Sequence, residues 1–131
     1  MPEARILVIE DNPFMSQLLA SRLKANDYEV ITALGGLEGL NKAQKDQPDL
    51  ILLDINMPSM NGFEAAAKLK AMVETKSTPV IFVTAKGEDK DIFKAITELG
   101  SASYIIKPFK PETLLEEIKK ALNKKRNEQV G

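Results

Sequence analysis

Apolar residues in this chain follow two rhythms. Five short runs rich in β-branched and aliphatic side chains are RILVIE (5–10), YEVITAL (28–34), LILLDI (50–55), PVIFVTA (79–85) and SYIIKP (103–108). Between them lie longer stretches in which apolar positions recur every three to four residues, the period of a helix with one buried face. The third and fourth runs are almost continuously apolar, as parallel strands covered on both faces should be. The first helix is predicted from Pro13, a residue suited to the first helical position, with Asp11 or Asn12 as cap and Met15, Leu18, Leu19 and Leu23 along one side. Residues 36–46 carry the faintest helical pattern. Residues 63–75 carry Phe63, Ala66, Ala67, Leu69 and Val73, and 88–99 carry Ile92, Ile96 and Leu99 ahead of Gly100, a natural helix terminator. The last helix, 111–125, repeats Leu114, Ile118, Ala121 and Leu122.

A strict strand–helix alternation repeated five times predicts an α/β fold with right-handed crossovers. At this size the expected solution is a flavodoxin-like (βα)5 three-layer sandwich, its parallel five-stranded sheet in the order 2-1-3-4-5. The 131 residues suit one domain, expected over 4–124, with 125–131 as a polar tail; the segment KKRNEQVG (124–131) is expected to fray. Hydrophobic residues at 44% and charged residues at 28% fit a folded globular chain. The formal charge of −1 supplies no field for nucleic acid or an anionic membrane surface. No basic-then-apolar leader is present, and no apolar run approaches the roughly 18 residues of a spanning helix, so cytoplasmic localisation without membrane insertion is expected.

The chain has neither cysteine nor histidine. Thiolate nucleophiles, imidazole bases and the usual zinc ligands are excluded together. Any chemistry falls to Asp, Glu, Lys, Ser, Thr or Tyr, or to a hard cation held by oxygen.

In open α/β sheets, ligands bind beyond the carboxyl ends of the strands, where the strand order reverses. The first strand ends in Glu10-Asp11, the third in Asp54, the fourth in Thr84 and the fifth in Lys107-Pro108. Singly these residues have ordinary explanations: Asp11 as a helix cap, Asp54 as a turn former, Thr84 as a turn hydroxyl, Lys107 as a solvated rim charge. The fold, however, brings them to one edge of the sheet. Three acids in one crevice disfavour one another's ionisation unless a cation compensates, and an all-oxygen donor set selects a hard ion such as Mg²⁺.

Four segments, VIEDN (8–12), LLDINMPSMNG (52–62), VTA (83–85) and SYIIKPF (103–109), occur in this order, each closing its strand. In these the chain resembles the receiver domain of bacterial two-component response regulators over about residues 4–124, and chemotaxis-type single-domain regulators are the most similar in architecture. The resemblance implies that Asp54 is the phosphoacceptor. It implies that Glu10 and Asp11 position Mg²⁺, Asp11 directly and Glu10 through water, with the backbone carbonyl of Asn56 as the remaining protein ligand. Thr84 and Lys107 match the hydroxyl and lysine that contact phosphoryl oxygens, and Tyr104 the switch aromatic. The donor would be a sensor histidine kinase or phosphotransfer protein. The output would be a downstream protein effector met through the fourth helix, fifth strand and fifth helix, where Lys94, Glu98, Lys110, Glu116, Lys119 and Lys120 lie. The domain would be a signalling module rather than an enzyme in its own right, with slow self-catalysed phosphotransfer and autodephosphorylation.

Glu10 stands where the family more often has Asp, lengthening that acid by one methylene, and Lys86 is placed to tune access of water to the phosphoryl group. Rival readings fit less well. A haloacid-dehalogenase-type phosphatase needs a second acid two residues after its nucleophile, where Asn56 stands; a flavin binder needs a Ser/Thr/Gly loop where the chain has EDNPFM (10–15). A receiver acting within a longer phosphorelay protein, or as an interaction module without phosphorylation, remains the alternative.

Overall fold

The computed structural model describes residues 4–85 and 103–130. Five parallel strands, β1 (Arg5–Ile9), β2 (Glu29–Ala33), β3 (Leu50–Asp54), β4 (Val80–Ala85) and β5 (Ser103–Lys107), form one sheet in the order β2-β1-β3-β4-β5. The flavodoxin-like topology is the one the strand–helix alternation predicts. The helix predicted over 88–99, with Ile92, Lys94, Ile96, Glu98, Leu99 and Gly100, lies outside the described residues, as do Lys86 and the side chain of Thr84.

Because strand side chains alternate between faces, each strand feeds two cores. On one face Leu7, Ile9, Ile51, Leu53, Val80 and Phe82 pack with α2 (Gly36–Asp46) and α3 (Gly62–Ala71), and the Phe63 and Phe82 rings lie 5.4 Å apart. On the other, Ile6, Val8, Leu50, Leu52, Ile81, Val83 and Ile105 pack with α1 (Pro13–Lys24) and the C-terminal helix (Pro111–Val130). Burying one such side chain contributes roughly 1.5–3 kcal/mol. With this many, the fold tolerates buried carboxylates at one rim.

The helices refine the sequence expectations. α1 begins at Pro13, and Asn12, not Asp11, caps it: Asn12 Oδ1 accepts the Met15 N–H at 3.1 Å. Its inward positions are Ser16, Leu19, Ala20 and Leu23, while Leu18 is 39% exposed because it falls at the margin of the stripe the sheet can cover. α2 spans the residues its spacing predicts and packs so closely that a Cβ on Gly39 would meet Ile9 Cδ1 at 2.5 Å.

α3 ends at Ala71, short of the predicted 75, and Ala67 and Val73 are exposed. The Thr75 hydroxyl donates to Leu69 O at 2.6 Å, and Met72 is extended (φ −96°, ψ 134°). A side-chain donor on a last-turn carbonyl takes the place of the next helical amide. Lys70 Nζ donates to Lys76 O (3.4 Å) and Thr78 O (3.3 Å), tying the turn to the start of β4.

The C-terminal helix instead runs past 125 to Val130, so residues 124–130 of the segment expected to fray are helical. Its apolar repeat stops at Leu122, but no glycine or proline intervenes before Gly131 to end it. At the sheet edge formed by β2, Lys42 Nζ donates to Thr32 O at 2.6 Å.

Candidate functional site

At the carboxyl rim, Glu10 and Asp11 occupy the short turn between β1 and the Asn12 cap. The Glu10 N–H donates to Ala33 O at 3.0 Å, extending the β1–β2 pairing by one residue and drawing its side chain into the protein, where it is 2% exposed. Asp54 closes β3 opposite Val83 and is 5% exposed. The next turn folds back on it. The Asn56 N–H donates to Asp54 Oδ1 at 3.3 Å, and the Gly62 N–H donates to Ile55 O at 2.9 Å. A Cβ on Gly62 would stand 2.6 Å from the Asp54 carbonyl oxygen and 2.7 Å from Ile55 Cα, both backbone atoms. Only glycine allows so close a return. Asn61 then caps α3 by accepting the Glu64 N–H at 2.9 Å.

One carboxylate oxygen from each of Glu10, Asp11 and Asp54 lies within 4.8 Å of the others. From the far side of the sheet, Lys107 at the end of β5 brings its ammonium to 2.8 Å from Glu10 Oε1 and 3.6 Å from Asp54 Oδ1. Thr84 follows Val83, the partner of Asp54, on β4 and pairs with Ile106. Tyr104 lies on β5, 39% exposed. Asn56 is exposed in the loop after β3. The structure thus gathers Glu10, Asp11, Asp54 and Lys107 and sets Asn56 and the backbone of Thr84 beside them; Tyr104 lies farther back along its strand.

The electrostatics are those of an overcrowded anionic site. Burial, and then the neighbouring Glu10 carboxylate, push Asp54 from its ordinary 3.8 to about 7; Lys107 and the Asn56 N–H only partly offset this. Burial also works against an ionised Glu10, but the hydrogen bonds with Lys107 and Asp54 outweigh it and hold that carboxyl below its usual value. For Lys107 burial opposes the charge, and the hydrogen bond to Glu10 and the attraction of Asp54 reverse the balance, raising it. Among the described residues, three acids against one ammonium leave an excess of negative charge that a hard divalent ion at an all-oxygen site would neutralise. The residues present therefore fit Mg²⁺.

The Glu10–Lys107 contact is the feature the sequence did not reveal. Ninety-seven positions separate the two residues, and β3 and β4 lie between their strands. The one available sign was an acid a methylene longer than the family's usual choice.

A flavodoxin-like sheet with an acidic, lysine-bearing carboxyl rim defines a class of signalling domains. Residues 6–119 match the response regulator receiver domain, and the chain belongs to that family. It is 37% identical over 119 residues to the protein PilH of Pseudomonas aeruginosa, covering 91% of this chain and 98% of PilH. It is also 37% identical over 120 residues to the response regulator ArlR of Staphylococcus aureus, covering 92% of this chain and 53% of ArlR. Among solved structures, the chemotaxis protein CheY4 of Vibrio cholerae superposes with a TM-score of 0.84 at 33% identity, covering 90% of this chain and 98% of that one. NtrX of Brucella abortus superposes with a TM-score of 0.91 at 26% identity, covering 99% of this chain and 29% of NtrX. The chain thus spans nearly all of two relatives and about half or less of two longer ones.

Proposed function

We propose that this receiver accepts a phosphoryl group on Asp54 from a histidine kinase or phosphotransfer protein, holds it as an acyl phosphate, and later loses it to water. The observation that carries the reading is the convergence of Glu10, Asp11, Asp54 and Lys107, from three separate strands, on one rim. In the transfer, an Asp54 carboxylate oxygen bonds to phosphorus as the phosphorus–nitrogen bond of the donor breaks, the electron pair staying on the imidazole nitrogen. Such a reaction asks little covalent work of the protein and much positioning and charge stabilisation.

Each residue has a definite task. Asp54, fixed by the Asn56 N–H and the close return of Gly62, presents its oxygen from a rigid strand end. Lys107 supplies an ammonium to a phosphoryl oxygen, and Thr84 a hydroxyl. Glu10, Asp11, Asp54 and the backbone carbonyl of Asn56 would hold Mg²⁺. When bound, the ion offsets the negative charge of the acids and of the incoming phosphoryl group. Aspartyl phosphate then adds charge and acceptor oxygens at the rim, drawing Thr84 inward and turning Tyr104, which biases the surface including β5 and the C-terminal helix toward a protein effector.

No helix among the described residues is long and apolar enough to cross a membrane. Action in the cytoplasm, without direct contact to nucleic acid, completes the proposal. The partial coverage of ArlR and NtrX supports a second context, in which the same domain serves as the receiver of a longer regulator.

Incubation with a small phosphodonor and Mg²⁺ should add one acid-labile phosphate, read by intact mass. Asp54→Asn should abolish the added mass. An undiminished mass shift in that variant would rule out Asp54 as the acceptor.

A further inference from the structure

The loop between Asp54 and α3 is fixed at both ends and strained in the middle. The Ile55 N–H donates to Val83 O at 3.2 Å, and Gly62 returns onto Ile55. Between them the Met60 N–H donates to Pro58 O at 2.7 Å, closing a tight turn around Ser59, whose φ is 69°. A side chain at positive φ crowds its own backbone, and such a turn persists only where its surroundings hold it. Pro58 and Ser59 face solvent. The hold comes from the flanking methionines: Met57 is buried in the core between the sheet, α2 and α3, and Met60 packs against the same core.

Met60 also reaches the first residue of α2. A Cβ on Gly36 would stand 2.8 Å from Met60 Sδ, 2.9 Å from its Cβ and 3.0 Å from its Cγ. The backbone of Gly36 is helical, a conformation any residue adopts, so it does not itself call for glycine. Beside it, a Cβ on Gly35 would meet nothing within 4 Å. Glycine weakens a helix. What the missing side chain at 36 provides is room for Met60. A change of rotamer cannot move the Met60 Cβ out of the way, because that atom is fixed to the backbone. Anything added at position 36 must therefore displace the loop or the helix.

The same loop carries Asn56, whose backbone carbonyl is assigned above to Mg²⁺. Resting on that phosphoreceiver reading, we propose that Met60 is a positioning residue: seated on Gly36, it holds the strained loop so that the Asn56 carbonyl serves the acidic cluster. The affinity for the ion is thereby set in part by the N-terminus of α2, an element that contributes no carboxylate to the cluster. Methionine suits the task, since an unbranched, polarisable thioether fills the irregular gap where a loop crosses a helix.

The test is a double-mutant cycle read as Mg²⁺ affinity by calorimetry on the full chain, without phosphodonor. Gly36→Ala is expected to weaken Mg²⁺ binding roughly fivefold or more, although alanine is the better helix former. Met60→Ala should weaken it as well, and Gly36→Ala added to Met60→Ala should weaken it no further, since the loop has already lost its seat. Met60→Leu, close in volume, should bind as the unsubstituted protein does. Equal weakening by Gly36→Ala in both backgrounds would mean that the effect travels through the helix alone and would overturn the proposal. Unchanged affinity in Met60→Ala would overturn it too, a reading that stands even if Gly36→Ala does not fold. A second readout separates positioning from general damage: with a small phosphodonor, Gly36→Ala should need more Mg²⁺ to reach half its maximal phosphorylation rate. A lowered maximum with an unchanged half-saturating Mg²⁺ concentration would overturn the proposal. Unaltered Mg²⁺ affinity in the variants sinks this inference alone, a failed mass shift at Asp54 sinks the phosphoacceptor reading alone, and no Mg²⁺ binding by the unsubstituted protein sinks both.

Discussion

The two ends of the sheet are made from the same strands and solve opposite problems. At the amino end, several polar groups find partners, although, among the described residues, Ser103 Oγ at the start of β5 is buried without a hydrogen bond. The Arg5 N–H donates to Asp49 Oδ2 at 2.8 Å, its guanidinium donates to Asp46 O at 3.0 Å and pairs with Glu29 at 3.2 Å, and Thr75 and Lys70 bind the carbonyls that end α3 and lead into β4. At the carboxyl end, among the described residues, three acids share a single ammonium, two of the acids are buried, and one is pushed to about 7. The first end gains stability from its buried hydrogen bonds, such as that of Thr75 to Leu69 O. The second stores a demand for positive charge, which makes it receptive to a cation and to chemistry.

The most forceful way to break this contrast is to relieve the crowded rim. An acid whose folded pKa is raised keeps its proton longer in the folded state than in the unfolded one, so stability falls as pH climbs from about 4 to about 7. The gap from 3.8 to about 7 bounds the loss at roughly 4 kcal/mol. Glu10, lowered, gives its full stabilisation above its ordinary 4.5, and Lys107, raised, gives its own below its ordinary 10.5, so neither changes between pH 5 and 8. Denaturant unfolding without metal should therefore show the protein less stable at pH 8 than at pH 5. Asp54→Asn should flatten that dependence, and Mg²⁺ should restore the unsubstituted protein at pH 8. A flat profile before substitution would mean that the carboxylates are not in conflict.

Next in size is Gly62→Ala, which forces a Cβ against the Asp54 and Ile55 backbone. The expected cost is about 1–3 kcal/mol, accompanied by slower phosphorylation because the turn that fixes Asp54 must move. Calorimetric melting and the mass-shift rate would report both. The smallest effect belongs to the amino end. Thr75→Val removes the buried hydroxyl bonded to Leu69 O and should lower stability by about 1 kcal/mol, with the phosphorylation rate unchanged. If Thr75→Val slowed phosphorylation as much as Gly62→Ala, the division between the two ends would fail.

Much of this organisation could be read from residue order. Continuous apolar runs such as LILLD and VIFV have little alternative to a doubly covered parallel strand, and Pro13 marks a helix start through local chemistry. The rim residues were legible because strand ends are, and the topology carries those ends to one edge. What escaped depends on distant or finely balanced contacts. Leu18 and Val73 continue an apolar rhythm past the area the sheet can cover, and α3 stops where a threonine hydroxyl competes for its last carbonyls. Asn12 and Asp11 are equally able caps by composition, and the turn that sends Asp11 toward Asp54 and Glu10 leaves the task to Asn12. The Glu10–Lys107 bond depends on the reach of two side chains across the sheet, which spacing along the chain does not encode.

Lys42, whose ammonium lies on the Thr32 carbonyl at the margin of β2, has a bearing on how copies of this domain coexist. A neighbouring polypeptide that tried to zip onto that margin as an extra ribbon would first have to evict a charge from its acceptor, which discourages runaway stacking at high cellular concentration.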